Sequence, residues 1–512
     1  MHRPTDFESA NKARERLTFD EAYLLQLTML KQKQELASVH TIARIPQAGG
    51  VLPEFDKALP FELTPGQRSV SDEIFSDLIS DRPMHRLLQG EVGSGKTLVA
   101  VRAMLTVAES DGQSALLAPT EVLASQHYQS IKRTLGEDLA KQLGLTLLTG
   151  QLSTADRKSA MLAIVSGKAK IIVGTHALFA EKVEFFDLGL IVIDEQHRFG
   201  VEQREALRLK GKTAPHVLTM TATPIPRTLA VTVFGDLDVS ILDELPNGRQ
   251  AITTHVVTDS EPQLVARVWQ RVREEIDQGR QVFVVCPRID DKDEPEEFQE
   301  QDLLGKAKRP LASAVLVSES LKANPLLKGV RIGLLHGRQS SEEKAETMQA
   351  FSNKEIDLLV STTVIEVGVD VPNATTMVIL DADRFGISQL HQLRGRVGRG
   401  GLPGLALLLT SAEEGSPALE RVRAVASTTD GFKLSEIDLE HRREGDVLGS
   451  TQSGGRSSLK LLRVLRDQEL IQKVREKALK LFDADPTLEK HPNLAAALDL
   501  ADQQRSDFLT KS

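Results

Sequence analysis

The sequence predicts an α/β protein built as two parallel-sheet lobes, with a helical amino-terminal segment and a carboxy-terminal tail of helices around one irregular, glycine-marked element. Three observations lead there. From residue 86 to about residue 240, short β-rich runs alternate with helical segments, and after Pro246-Asn247-Gly248 the alternation starts again. Beyond Leu409 strand patterns give way to helical ones, interrupted by Gly445, Gly449, Gly454 and Gly455. Such alternation marks parallel strands joined by crossover helices. With 512 residues, 40% of them hydrophobic and 26% charged, the chain has the composition of an ordinary globular protein and the length for about three domains.

At the amino terminus, Thr18-Phe19-Asp20-Glu21 reads as a capping box that starts a helix with Leu24, Leu25, Leu27 and Leu30 as its apolar stripe. That helix has no domain of its own. Ala48-Gly49-Gly50 and Pro53 break the pattern, and the next helix is expected after Pro65. Strands of the first lobe are expected at residues 86–89, 115–118, 171–173, 190–193 and 217–220. Those of the second are expected at 282–285, 332–335, 358–361, 377–380 and 405–409. The nearly continuous acidic run 290–300 reads as a solvated loop. No short-period internal repeat is visible.

The net charge of −9 argues against a protein that holds nucleic acid by a general positive surface, so any such contact is local. The single cysteine, Cys286, excludes an internal disulfide framework and a cysteine-rich zinc site, and suits a reducing compartment. The first residues lack the apolar run of a secretion signal and no uncharged stretch has the length of a membrane span. A cytoplasmic protein without membrane contact is expected.

Gly90-Glu91-Val92-Gly93-Ser94-Gly95-Lys96-Thr97 matches the phosphate-loop pattern, following an apolar strand and opening a helix. The glycines let backbone N–H groups approach a nucleotide's phosphates. Lys96 would pair with the β- and γ-phosphates, and the Thr97 hydroxyl would ligate Mg²⁺ at a helix amino terminus. Leu190-Ile191-Val192-Ile193 runs into Asp194-Glu195-Gln196-His197, which places two carboxylates at the carboxyl end of a buried strand. Asp194 would hold Mg²⁺ and Glu195 would orient or deprotonate the attacking water. In the second lobe, His391-Gln392-Leu393-Arg394-Gly395-Arg396-Val397-Gly398-Arg399 concentrates three arginines. A surface salt-bridge cluster is the common explanation for such a run. Beside a phosphate loop, arginine fingers that stabilise charge on the transferring phosphoryl group are the better one, with Arg396 and Arg399 as the choice.

Together these features resemble superfamily 2 helicases, whose two RecA-like lobes close on ATP at their interface. The resemblance covers residues 61–455, with the motifs in family order. It implies that Gln67, within Leu63-Thr64-Pro65-Gly66-Gln67, contacts adenine. It likewise implies that Pro119-Thr120-Glu121 and Gly174-Thr175-His176 grip the sugar-phosphate strand, chiefly through Thr120, Thr175 and His176. Thr221-Ala222-Thr223 looks like the segment that couples hydrolysis to lobe movement, and residues 363–370, beginning at Thr363, look like the second lobe's DNA-contacting motif. The run from Asp194 to Val201 and the run from Met220 to Arg227 resemble RecG-type helicases in particular. RecG-type helicases and the transcription-repair coupling translocase carry a helical hairpin and loop after the second lobe that pull on duplex DNA. Asp438-Leu439, Arg442, Gly445, Leu448-Gly449 and Gln452-Ser453-Gly454 resemble that element, with Arg442 and Gln452 as its DNA contacts. Gly93-Ser94-Gly95 and Gln196 look more like the RecG type than the coupling translocase.

The resemblance implies four regions: a helical linker (1–60), an ATP-binding lobe (61–245), a second helicase lobe (246–425), and a translocation hairpin and loop with carboxy-terminal helices (426–512). It implies ATP and Mg²⁺ as cofactors, branched or duplex DNA as partner, contacts with replication-fork proteins, and a monomer. The implied activity is ATP-dependent translocation that regresses stalled forks and migrates Holliday junctions. The alternatives are displacement of RNA polymerase, or a DNA-binding fragment without turnover. Two departures stand out. The family carries a large wedge domain that splits branched DNA, whereas this chain opens at about the helix that follows it. Aromatic residues are only 4%, which leaves few platforms for base stacking. Arg442 is followed by Arg443-Glu444-Gly445 where the family has a Gly-Pro-Gly turn. The loop is expected to work, since Arg442 and the later glycines remain.

Overall fold

A computed structural model describes residues 6–37, 39–47, 49–195, 207–221, 237–244, 252–289, 311–366, 371–398, 401–441, 461–462 and 467–499. They fall into two compact units, each built on its own parallel sheet: residues 1–90, 95–244 and 442–512 form the first, and residues 91–94 and 245–441 the second.

In the first unit the described strands are β1 (His85–Gly90), β2 (Gln113–Leu117), β3 (Thr146–Leu148), β4 (Ile171–Gly174), β5 (Leu188–Asp194), β6 (His216–Thr221) and β7 (Asp238–Leu242). They pair in the order β3-β4-β2-β5-β6-β1-β7, all parallel. Every residue of β2 and β4, and all of β5 before Asp194, is buried, as expected for strands covered by helices on both faces. The helices are α1 (Phe7–Ala37), α2 (Val51–Ala58), α3 (Pro65–Leu78), α4 (Lys96–Glu109), α5 (Glu121–Leu135), α6 (Glu137–Gln142) and α7 (Thr154–Val165). Helix α4 is apolar nearly all round, and Val99 to Val107 are buried without interruption.

The second unit pairs β8 (Ile252–Thr258), β9 (Gln281–Val285), β10 (Ile332–Leu335), β11 (Leu358–Ser361), β12 (Ala374–Ile379) and β13 (Gly404–Thr410) in the parallel order β10-β11-β9-β12-β13-β8 among the described residues. Both its faces are buried. Val282 and Val284 point into a core shared with α8 (Pro262–Asp277) and α9 (Ala314–Ala323), whereas Phe283 and Val285 point into one shared with α10 (Ser341–Ser352), α11 (Ile387–Arg394), α12 (Pro417–Ser427) and α13 (Gly431–His441). The two-lobed parallel fold expected from the sequence is what the structure shows.

Local expectations fare less evenly. Strands β3, β7 and β8 were not anticipated. Of these, β3 has three residues, and β7 and β8 are edge strands with few fully buried positions, Ser240 and Leu242 in β7 and Val257 in β8, so neither presents the apolar run that marks a central strand. Thr18 does not start a helix. It lies within α1, where its hydroxyl donates to the Arg14 carbonyl four residues back (2.9 Å). The Glu21 carboxylate, expected to close a cap, instead accepts from the backbone N–H groups of Leu461 and Leu462 (2.8 and 2.7 Å). Pro53 does not break structure either. It sits in the first turn of α2, where its missing N–H costs nothing. The acidic run 290–300 lies outside the described residues.

Residues 41–58 are fastened along the first unit. Thr41 and Arg44 donate their N–H groups to the carbonyls of Asp81 and Leu78 (2.8 and 2.7 Å). The Arg44 guanidinium, 1% exposed, forms a two-pronged bond to Asp187 (2.8 and 2.9 Å). It lies against Gly112 and Gly189, where any side chain would collide with it. Glu109 takes the N–H groups of Gln47 and Leu52 (2.9 and 2.7 Å), so it caps α2 in place of the side chain that Gly50 lacks. Asp56 makes a two-pronged bond to Arg102 (3.0 and 2.8 Å). Helix α1 does not stand alone: Leu27 packs with Ala478 and Phe482 of α14 (Gln468–Ala484) and with Leu488 and Leu498, in a small core that joins the two ends of the chain.

His85 and His216 open the adjacent strands β1 and β6. Burial lowers both to about 4; Arg208 and His216 add to the effect on His85, against Asp238, whereas at His216 a backbone hydrogen bond with Ile42 opposes burial and Arg44 adds to it. The Met84 N–H donates to His216 Nδ1 (3.1 Å), which leaves the ring proton on Nε2. Histidine in the unfolded chain titrates near 6.5, so below that pH the unfolded state binds protons that the folded state refuses. Stability from this pair is therefore complete above about pH 6.5 and declines as pH falls to about 4, by up to roughly 3 kcal/mol per histidine. Urea midpoints measured from pH 7.5 to 4.5 should fall steadily, and His85→Phe should flatten the slope. A midpoint independent of pH would refute the assignment.

Candidate nucleotide and nucleic-acid site

Because every strand of the first sheet runs the same way, their carboxyl ends share one edge. Gln89 is level with Thr221, Ile193 with Thr219, and Leu117 with both Ile193 and Gly174. The segments after β1, β2, β4, β5 and β6 therefore leave from that edge, which brings together Gly90 to Thr97, Thr120, Thr175, Asp194-Glu195 and Thr221.

Gly95 caps α4 with φ +91°, a left-handed conformation suited to glycine, and Gly93 has φ +87°. Lys96 is 9% exposed and its ammonium donates to the Gly90 carbonyl (2.6 Å), so the lysine lies over its own loop. Thr97 follows in the first turn of α4 and is partly exposed. Gln67 is 3% exposed and engaged in a cap: its Oε1 accepts from the Thr64 N–H (3.1 Å), and its own N–H donates to the Thr64 hydroxyl (3.2 Å). Its amide nitrogen occupies the space that a side chain on Gly95 would need. The carboxylate of Glu244 accepts from Gly66 at the same helix start (3.1 Å).

Asp194 ends β5, and its Oδ2 accepts from His127 Nε2 of α5 at 2.8 Å, with both side chains largely buried. Glu195 is 8% exposed and has φ +53°, uncommon for a residue with a side chain; its N–H is held by the Met220 carbonyl (3.0 Å). Thr120 is exposed and caps α5, its hydroxyl accepting from the Leu123 N–H (3.3 Å). Thr175 is buried at 1% exposure, whereas His176 is exposed and opens the short helix His176–Phe179.

In the second unit Thr363, partly exposed, opens a 3₁₀ turn after β11. Of the three clustered arginines, Arg394 serves the fold. It is 2% exposed, donates to the carbonyls of Val425 and Thr428 (2.5 and 2.7 Å) and lies 2.7 Å from His391 Nδ1. Arg396 is only partly buried. Arg399, Gln196, residues 222–227, Arg442 and Gln452 lie outside the described residues. His127 was missed by sequence reasoning. It stands in no motif, and its sole signal was a place seven residues after Thr120.

Three family models match in succession: DEAD/DEAH box helicase over residues 64–231, helicase conserved C-terminal domain over 266–401, and ATP-dependent DNA helicase RecG, domain 3, C-terminal, over 428–504. The ATP-dependent DNA helicase RecG of Mycobacterium leprae is 48% identical over 100% of this chain and 70% of its own length. The chain belongs to the RecG family of ATP-dependent DNA helicases. The RecG helicase of Synechocystis is 46% identical over 97% of the chain and 57% of its own length. A solved RecG bound to a three-way DNA junction is 40% identical, with TM-score 0.71, over 92% of this chain and 58% of that one. The chain thus spans roughly six to seven tenths of its RecG relatives. No helix among the described residues is long and apolar enough to cross a membrane.

Gly95→Ala should weaken binding of a fluorescent ATP analogue about tenfold or more, because a left-handed alanine costs about 1–3 kcal/mol and its methyl must displace Gln67. Titration with the analogue measures this. Unchanged affinity would mean that the loop does not hold nucleotide in this conformation.

Proposed function

We propose that this RecG-family chain uses ATP hydrolysis at the carboxyl edge of its first sheet to translocate on double-stranded DNA, and so remodels branched DNA by regressing stalled forks and migrating Holliday junctions. The observation that carries the reading is the RecG-specific match at 428–504, directly after two helicase modules. A relative of the same family was solved on a three-way junction. The coupling-translocase alternative is disfavoured, since RecG relatives match at 43–48% identity.

In this reading Lys96 exchanges its bond to the Gly90 carbonyl for the β- and γ-phosphates of ATP. The donor set fits Mg²⁺: a threonine hydroxyl at Thr97 and a carboxylate at Asp194 are hard oxygen ligands, and Mg²⁺ takes its other positions from phosphates and water. Bound there, the ion would neutralise charge that develops on the phosphates. Glu195 orients or deprotonates the attacking water, its backbone already held by Met220. Arg396 and Arg399 stabilise charge on the transferring group. Gln67 stands beside the loop as the adenine contact. Thr120, Thr175, His176, Thr363, Arg442 and Gln452 track the DNA backbone. A monomer acting in the cytoplasm, in contact with replication-fork proteins, completes the reading.

The test is ATP hydrolysis by the purified chain without DNA, with linear duplex and with a three-way junction. DNA should stimulate turnover, Lys96→Ala should abolish it, and Glu195→Gln should lower kcat by about 10²–10⁴ while nucleotide still binds. Hydrolysis indifferent to DNA would overturn the translocase reading. Equal stimulation by linear and branched DNA would overturn branch remodelling by this chain.

A further inference from the structure

Helix α5 has chemistry at two levels. Its first turn is capped by the exposed Thr120, followed by Glu121. Seven residues on, just short of two turns and so on the same side of the helix, His127 reaches back to the sheet edge. There its Nε2 lies 2.8 Å from Asp194 Oδ2; His127 is 13% exposed and Asp194 15%. An ionised carboxylate only accepts, so the imidazole Nε2–H donates. The Asp194 backbone is fixed by the ladder, level with Met220 of β6, and by the Glu195 N–H bond to the Met220 carbonyl that follows it. Its carboxyl plane can still rotate about two side-chain bonds, and a bond from a ring on a neighbouring helix restrains that rotation.

We propose, resting on the Mg²⁺-ligand role given to Asp194 above, that His127 is a positioning residue. It sets the plane of the Asp194 carboxylate, and it makes that setting depend on where α5 lies. A DNA strand held at the Thr120 end of α5 acts through a rigid helix of fifteen residues on the group that meets the nucleotide's metal ion. DNA stimulation of ATP hydrolysis then travels in part through the His127–Asp194 bond. A histidine that merely fills space between α5 and the sheet would leave the metal dependence and the DNA dependence untouched.

The experiment uses the full chain with His127→Ala, His127→Gln and Asp194→Asn. One readout needs no turnover: the Mg²⁺ concentration that half-saturates binding of a fluorescent, non-hydrolysable ATP analogue. A lost outer-shell partner typically weakens metal affinity 10–100-fold, so His127→Ala should raise that concentration about tenfold. It should also cut the ratio of DNA-stimulated to basal kcat several-fold, with nucleotide-free DNA affinity unchanged. His127→Gln, which can still donate to Oδ2, should recover most of both effects, a rescue that distinguishes the bond from packing. Unchanged Mg²⁺ dependence and an unchanged stimulation ratio in His127→Ala overturn the proposal, as does a loss that glutamine fails to relieve. Asp194→Asn separates this from the reading beneath it. If Asp194→Asn leaves Mg²⁺-dependent binding intact, the metal role itself is wrong; if it removes that dependence while His127→Ala does not, only the positioning role falls.

Discussion

The carboxyl edge of a parallel ladder is the constraint on which the first unit's chemistry depends. Strands buried on both faces are largely apolar along their length, so the strongly polar and charged groups are best carried where a strand ends. In this sheet the ends of β1, β2, β4, β5 and β6 are level. A phosphate loop, a carboxylate pair and three threonine-bearing turns therefore meet at one edge, gathered by the strand pairing itself. Register is the sensitive quantity. A slip of one residue in β5 would turn Ile191 and Ile193 out of their core and move Asp194 away from His127.

The segment before the first sheet is held by groups that the sheet's own connections provide. Arg44 reaches Asp187, one residue before β5, and Glu109 at the end of α4 caps α2. A buried guanidinium is tolerable only if its charge is met, and here a two-pronged carboxylate meets it. Gly112 and Gly189 are explained by the same contact, since each approaches the guanidinium too closely for a side chain. Residues 41–58 are thus fixed by ionic and backbone bonds together with the buried Leu52 and Phe55, whereas the α1–α14 core is built from apolar side chains.

What was legible in the sequence follows from which signals are local. The central strands were visible because burial on both faces leaves uninterrupted runs such as Ile171 to Val173 and Leu190 to Ile193. The phosphate loop and Asp194-Glu195 were visible because their geometry is set by adjacent residues. Edge strands β7 and β8 were not, because most of their residues are only partly buried and leave no apolar run. Thr18 misled because a capping box is a statement about where a helix begins, and a Thr-x-x-Glu string can also fall inside one. His127 was invisible for the opposite reason. Its importance comes from a residue 67 positions away, a relation that only the pairing of α5 with the sheet edge creates.

Glu195 shows how local strain and tertiary support combine at this edge. A left-handed backbone at a residue with a side chain costs on the order of 1–3 kcal/mol, and a largely buried carboxylate adds a desolvation cost. Neither would persist in an isolated strand end. Here the Met220 carbonyl of β6 holds the Glu195 N–H, so the sheet that creates the edge also fixes the turn leaving it. Asp194, on the preceding residue, is restrained from the other side by His127. The backbone of the turn is thereby held by a neighbouring strand, and the Asp194 carboxylate is met by a neighbouring helix. On the positioning role proposed for His127, a displacement of α5 acts on the Asp194 carboxylate while the turn that carries both acids stays fixed to β6.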